Sequence, residues 1–166
     1  MADITVTNIV VHAATMNEIE GIQALAQSIY RRQYSDTAQA DRLYKRAFSE
    51  ASLQRAIASP SSWYYTARRD ETVLGLFHFG APLFDDCQER KEIYRLFVHP
   101  DATRQGIGGS FLAAMVALLT PTIVNEVIVY QPLDNAIGRA FYEKYGFVHD
   151  PLRDKDNEGC WVKALK

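Results

Sequence analysis

The chain has 166 residues, 48% of them hydrophobic, and a formal net charge of −2. That length favours a single domain, 1–166, with a sizeable core, and the charge excludes a strong field for nucleic acid or an anionic membrane. No run of about 18 apolar residues occurs, so no membrane span is expected; the opening MADITVTNIVVHA lacks a basic-then-apolar leader, and Cys87 and Cys160 make neither a metal spacing nor a disulfide framework, so a reducing, cytoplasmic setting is expected.

Residues 4–12 alternate and are rich in β-branched side chains, which predicts a strand. Residues 16–34 carry Ile19, Ile22, Ala26 and Ile29 at helical spacing, and a second helical pattern covers 41–58, where SPSS ends it. Segments 63–67 and 72–79 read as a hairpin around RRDE. A strand over 92–98 stops at His99-Pro100. A helix follows over 106–119, then a strand over 124–130, then a helix over 136–145 with Gly146 just past its end. Short strands at 147–149 and 160–164 flank the polar loop RDKDNEG. Antiparallel order early and strand–helix–strand order late predict an α+β, mixed-sheet fold covered by helices.

One stretch stands out in that order. RLFVHPDATRQGIGGSFL places Gly106, Gly108 and Gly109 where a strand turns into a helix, although glycine costs about 1 kcal/mol relative to alanine in a helix interior. The first N–H groups of a helix have no internal partner and carry the positive end of the dipole, so this turn can hold a phosphate. Glycines let an anion approach those groups. The plainer reading is a tight turn or close helix–strand packing; Arg104 beside the turn favours the anion. A P-loop fails here, because Ser110-Phe111 follows where lysine and a hydroxyl are needed. The dinucleotide fingerprint fails too, with Phe111 in place of its third glycine.

A second stretch is NAIGRAFYEKYGF. Asn135, Gly138 and Tyr142 are spaced i, i+3, i+7 and share one helix face. Asn135 can cap the helix, Gly138 would leave the face open, and Tyr142 offers a hydroxyl two turns on. An aromatic at such spacing is more often core.

Taken together and in this order, the two stretches resemble the GNAT superfamily of acetyl-CoA-dependent N-acetyltransferases. IYRLFVHPDATRQGIGGSFL is similar to that family's strand ending in V-H-P followed by [Q/R]-x-x-G-x-[G/A], and NAIGRAFYEKYGF to its later N-x-x-[A/G]-x-x-F-Y-E-K-x-G-F helix. The likeness runs from about Trp63 to Phe147. It implies a mostly antiparallel mixed sheet of about seven strands flanked by about four helices. Thr103 departs from the motif, standing where Gln or Arg is usual, so Arg104 is expected to supply the charge.

The resemblance implies acetyl-CoA as cosubstrate, held by Leu96, Phe97, Val98, Arg104, Gln105, Gly106, Ile107, Gly108, Gly109, Asn135 and Tyr142, with no metal. The parallel strands 92–98 and 124–130 would splay, and the pantetheine arm would add to the edge of the first. The Val98 N–H would then stabilise the thioester oxygen. An amine near pKa 10.4 is mostly protonated at pH 7, so a base is needed; Glu92 is the family-like candidate, with His78 or water as alternatives and a solvated strand charge as the plainer reading of Glu92. Tyr142 matches the family's acid for the leaving thiolate. Cys87 lacks a histidine at motif spacing and fits no nucleophilic role. The expected acceptor is a small-molecule primary amine, attracted by Asp85, Asp86 and Glu89 and walled by Tyr30, Tyr34 and Tyr44. The alternatives are a protein lysine or N-terminus, or a non-catalytic acyl-CoA-binding regulatory module. No nucleic-acid or membrane partner is expected; a homodimer is compatible with the resemblance.

Overall fold

The structure, a computed structural model, describes residues 4–6 and 8–166, with side chains from residue 8 onward. The chain forms two compact units, Met1–His78 with Arg95–Phe111, and Phe79–Tyr94 with Leu112–Lys166.

The first unit opens with β1 (Ile4–Val6) and β2 (Ile9–Ala13), paired antiparallel. One strand was expected over 4–12; Asn8, at φ 62°, turns the chain instead. Asparagine is among the few residues that adopt this region readily. Residue 7 of that expectation lies outside the described residues. Three helices follow: α1 (Ile19–Gln33), α2 (Thr37–Phe48) and α3 (Glu50–Ala58). The single helix expected over 41–58 is therefore two. Ser49 is the break: its backbone is extended at ψ 150°, and its side chain accepts from the Ser52 N–H at 3.3 Å as the cap of α3. Asp36 caps α2 through the N–H groups of Ala38 and Gln39.

β3 (Ser62–Arg69) and β4 (Thr72–Gly80) come next, then β5 (Arg90–Val98) and α4 (Ile107–Leu119). Strand order in this unit is β1-β2-β3-β4-β5, with β4 contributing 72–78 and β5 contributing 95–98. The core gathers Ile22, Leu25, Ala26, Phe48, Leu53, Tyr64, Val73 and Leu76 between the helices and the strands. Phe48 is fully buried at its centre, with Tyr30 edge-on at 5.7 Å and Tyr44 stacked at 6.0 Å. Buried Glu18 ties the start of α1 to the sheet, accepting from the Thr15 N–H at 2.8 Å and the Thr66 hydroxyl at 2.8 Å.

In the second unit, strand order is β5-β6-β8-β7, with β6 (Glu126–Pro132), β7 (Val148–His149) and β8 (Glu158–Ala164). β5 and β6 are parallel, as expected, and α4 lies between them in sequence. Their register pairs Arg90–Ile93 with Glu126–Val129, whereas β5 runs on to Val98 and β6 to Pro132. β6 pairs antiparallel with β8 over seven residues. Helix α5 (Ala136–Lys144) precedes β7, and Gly146, at φ 82°, closes it. The mixed, mostly antiparallel architecture is the one expected. No helix among the described residues is long and apolar enough to cross a membrane.

Gly75 on β4 sets where α4 begins. A Cβ there would lie 2.9 Å from Ile107 Cγ2 and 3.0 Å from Phe111 Cε2. Both side chains are essentially fully buried, and Phe111 stacks on Phe77 at 5.4 Å. Gly75→Val should therefore destabilise the fold by about 1–3 kcal/mol through overpacking, which for a chain of this size lowers Tm by about 2–12 °C. A thermal melt within 1 °C of wild type would show that α4 is not seated through this contact.

Candidate active site

The segment 95–111 lies wholly within the first unit and carries the residues expected to hold an acyl donor. β5 ends at Val98, and the His99 N–H donates to the Leu74 carbonyl at 2.7 Å. A 3₁₀ turn, Pro100–Ala102, follows; the Asp101 N–H donates to His99 Nδ1 at 3.2 Å and the Thr103 hydroxyl to the Pro100 carbonyl at 2.9 Å. Thr103 thus has a structural task in the turn. Arg104 (φ 61°) and Gly106 (φ 85°) both take left-handed backbone, reversing the chain into α4. Glycine is at ease there; Arg104 is not. Gln105 is braced by Arg69, whose guanidinium donates to Oε1 at 2.7 Å, while its own Nε2 donates to the Asp101 carbonyl at 3.1 Å.

The Ser110 N–H donates to the Gly106 carbonyl at 2.9 Å, so Gly106 is the first acceptor of α4. The N–H groups of Ile107, Gly108 and Gly109 come before any intrahelical bond can reach them. Ile107 anchors the turn in the core, whereas Gly108 and Gly109 are partly exposed. Three backbone donors on the positive end of a thirteen-residue helix, with an exposed Arg104 alongside, form a donor set suited to a diphosphate.

The end of β5 also borders a pocket of about 360 Å³ lined by Ile29, Arg32, Gln33, Leu96, Phe97, Val98 and Pro100. Thus Leu96, Phe97 and Val98, expected around the reacting group, lie within a few residues of the glycine turn. Of the expected acceptor wall, Tyr30 packs edge-on to Phe97 at 6.1 Å, Tyr34 lies 5.7 Å from Tyr30, and Tyr44 stacks on Phe48. His78 is buried in this unit, stacked on Tyr64 at 4.8 Å, with Nε2 3.2 Å from the Ser62 hydroxyl. Burial, aided by the charge of Arg95, lowers its pKa to about 4, leaving the ring neutral at pH 7.

The remaining expected residues belong to the second unit. Glu92 is 4% exposed on β5, opposite Ile128, and its Oε2 accepts from the Leu83 N–H at 2.9 Å. It is not a solvated strand charge. Desolvation raises its pKa, opposed by the Leu83 hydrogen bond. Asn135 caps α5, accepting from the Gly138 N–H at 2.9 Å. Gly138 does not leave an open face: a Cβ there would lie 2.1 Å from Gln131 Oε1 and 2.5 Å from Asn135 Nδ2. Glycine is needed so that the two amides can meet, at 3.4 Å. Tyr142 is 8% exposed, edge-on to Phe147 at 5.2 Å; its hydroxyl has no hydrogen-bond partner among the described residues, and burial pushes its pKa up. The acids expected to draw a cation are partly committed: Asp85 to Arg90 at 2.5 Å and to the Cys87 N–H at 2.9 Å, and Glu89 to the Asn125 amide at 2.8 Å, while Asp86 is exposed. Cys87 and Cys160 are free thiols. No cluster of three or more His, Cys, Asp or Glu among the described residues could hold a metal ion.

Sequence reasoning missed Gly75, Gln131 and Arg95. A glycine inside an apolar strand signals close approach, so Gly75 was findable. Gln131 Nε2 is buried without a partner among the described residues, which no local sequence pattern signals.

A family model described as an acetyltransferase (GNAT) domain matches residues 60–149. No curated protein sequence matches the chain. Among solved structures, the PaiA N-acetyltransferase of Thermoplasma acidophilum, in complex with coenzyme A, is 17% identical with a TM-score of 0.81, covering 94% of this chain and 98% of that one. An acetyltransferase of the GNAT family from Streptococcus pneumoniae is 12% identical, with a TM-score of 0.75 over 95% and 99%. The ribosomal-protein-S18-alanine N-acetyltransferase of Escherichia coli is 14% identical, with a TM-score of 0.67 over 95% and 94%. These likenesses show a common fold. The family match spans both the glycine turn and the Asn135–Tyr142 helix, and the chain belongs to the GNAT acetyltransferase family, whose acyl donor is acetyl-CoA.

Proposed function

We propose that residues 1–166 act as one N-acetyltransferase domain, moving the acetyl group of acetyl-CoA to a primary amine of a small molecule. One observation carries the reading: a strand end lining a pocket of small-molecule size runs, within eleven residues, into a helix start whose first N–H groups have no partner among the described residues. The coenzyme A held by the Thermoplasma structure on the same fold supports it. In this reading the N–H groups of Ile107, Gly108 and Gly109, with Arg104, hold the diphosphate, and Leu96, Phe97 and Val98 border the thioester.

The Val98 N–H stabilises charge on the thioester oxygen as the amine nitrogen bonds to the carbonyl carbon. The attacking nitrogen must lose a proton, and Glu92, kept basic by burial, receives it directly or through water. The carbon–sulfur bond then breaks, and sulfur takes the proton of Tyr142. Burial keeps that hydroxyl protonated at neutral pH and, by raising its pKa, makes it a weaker acid toward the thiolate. His78, with a pKa near 4, is the weaker base.

Gly108→Glu places a carboxylate against the diphosphate site and should abolish acetyl-CoA binding in a folded protein; unchanged affinity by calorimetry would refute the site. Tyr142→Phe removes only the hydroxyl and should lower kcat by about 10²–10⁴-fold while leaving acetyl-CoA affinity intact. A Phe variant with full kcat, where chemistry limits turnover, would return Tyr142 to a packing role.

Glu92→Gln separates stability from activity. With a raised folded pKa, native Glu92 keeps its proton where the unfolded chain has lost it. Its stabilising contribution is therefore present below the unfolded pKa and is lost as pH rises through the folded value. The Gln variant keeps an acceptor for the Leu83 N–H and does not ionise. Its Tm relative to wild type should rise between pH 4 and pH 7, while kcat at pH 7 falls. A Tm difference constant across that range, with full kcat, would exclude Glu92 as the base.

A further inference from the structure

Glu92 has a second task besides the proposed proton transfer: it helps to hold a loop. Arg90, Glu92 and Tyr94 are alternate residues of β5, so their side chains leave one face of the strand. All three reach back to the segment that enters it. Arg90 donates to Asp85 at 2.5 Å, Glu92 accepts from the Leu83 N–H at 2.9 Å, and the Tyr94 hydroxyl donates to the Ala81 carbonyl. Segment 81–85 is thereby fixed at three points, yet it presents Leu83 and Phe84 to solvent, 62% and 71% exposed. A ring held this firmly and left in water is preorganised for a contact.

The Phe84 ring already carries a cation. Lys155 Nζ lies 3.4 Å from its centre and 4.1 Å from the centre of the Tyr130 ring, and the two rings stand nearly perpendicular, at 86° and 6.4 Å. A primary ammonium in a corner of two aromatic rings is a cation–π site. Among the described residues that ammonium has no ion pair and no hydrogen bond, so the rings are what holds it. The Lys155 backbone is fixed in a tight turn, its N–H donating to the Glu158 carbonyl at 2.9 Å and its carbonyl accepting from the Glu158 N–H at 2.7 Å. Its stem is flexible, so the ammonium can leave the corner while the turn stays in place.

The corner shares a sheet face with Glu92. In the parallel register Glu92 pairs with Ile128, and Tyr130 is two residues further along β6, so the three side chains leave the same face. Glu92 also grips Leu83, the residue next to Phe84. The positive charge of Lys155 acts on both Glu92 and Asp85. All of these residues belong to the second unit. An alkylammonium therefore already sits on the sheet face of the carboxylate proposed to take a proton from one.

We propose that the corner of Phe84 and Tyr130 is the ammonium site of the acceptor and that Lys155 is its resident competitor, which an incoming amine displaces. This rests on the acetyltransferase reading with Glu92 as base. The corner takes a primary ammonium at the end of an alkyl stem, the group it holds in Lys155. The bound ammonium gives one proton to Glu92, directly or through water; Glu92 becomes the neutral acid, and the nitrogen keeps the electron pair with which it attacks. Apparent affinity for an acceptor is reduced by the fraction of chains in which Lys155 has left the corner.

The test uses butylamine, which copies the Lys155 stem and ammonium, N,N,N-trimethylbutylammonium, which keeps the charge but cannot be acetylated, and butan-1-ol, which has no charge. Lys155→Met keeps the bulk of the stem and removes the ammonium. By calorimetry on the full chain, butylamine should bind Lys155→Met about tenfold or more tighter than wild type, and its KM should fall by a similar factor. The trimethylated cation should bind the variant and compete with butylamine; butan-1-ol should do neither. Adding Phe84→Leu, which keeps apolar bulk without the ring, should reverse the gain. A lysine that only ties two loops together would give a variant that melts lower and binds amines no better. Butylamine affinity that is unchanged or undetectable in Lys155→Met, or a gain that survives Phe84→Leu, overturns this inference and leaves the acetyltransferase reading standing. Binding with the expected pattern but no acetyl transfer to any amine, by wild type or variant, overturns the acetyltransferase reading and with it the acceptor role of the corner.

Discussion

An α-helix cannot satisfy its own first N–H groups, and the proposed donor site depends on that constraint. For those donors to remain available, the start of α4 must be fixed without being capped by a side chain. The structure meets both needs in one segment. Ile107 and Phe111 lock the first turns of α4 into the core over Gly75. Gly106 turns the chain with its backbone and accepts the first helical hydrogen bond, contributing no side chain that would bond the free donors. The hydroxyls and amides that could have capped the helix are committed elsewhere, Thr103 to Pro100 and Gln105 to Asp101 and Arg69. The unusual glycines and the ordinary polar residues before them thus serve one arrangement.

Burial acts on the ionisable residues with similar economy. It drives each towards its neutral form, and the consequence depends on the group. For His78 that means an uncharged ring that prefers not to take a proton. For Glu92 it means a carboxylate that takes one more readily, restrained by a single backbone hydrogen bond. For Tyr142 it means a hydroxyl that keeps its proton until a strong negative charge appears. The same physical cause therefore separates a poor base from a better one and keeps the Tyr142 proton in place at neutral pH while weakening the hydroxyl as a donor.

Much of this was legible in the sequence because it rests on local rules. Strand and helix periodicity placed most elements within two or three residues, and the glycine turn and the Asn135 cap follow from helix termini alone. Where legibility failed, the deciding factor was one polar residue or a distant neighbour. Asn8 breaks a strand whose apolar alternation looks continuous. Ser49 ends one helix and caps the next inside a pattern that reads as a single amphipathic stretch, since a side-chain cap costs little where helical spacing resumes at once. Gly138 was read as an open face, but the space is filled by Gln131, seven residues earlier and on another element. Arg95 looked like one more charge on a half-exposed strand; only the fold brings Phe48 over it and leaves it without a carboxylate.

A near-neutral chain can still hold strongly biased local fields, and the distribution of pairing matters more than the total. In the second unit, Arg90 is shared between Asp85 and Glu126, and Arg153 between Glu126 and Asp150. In the first unit, Arg95, Arg32 and Arg104 have no carboxylate partners among the described residues. Two of these border the pocket or the glycine turn, and the third lies on the aromatic surface between helices and strands. Exposed Arg32 and Arg104 are solvated rather than paired, which leaves their charge available to an anion. A net charge of −2 conceals that division, because the acids that balance these arginines in the sum are not beside them in space.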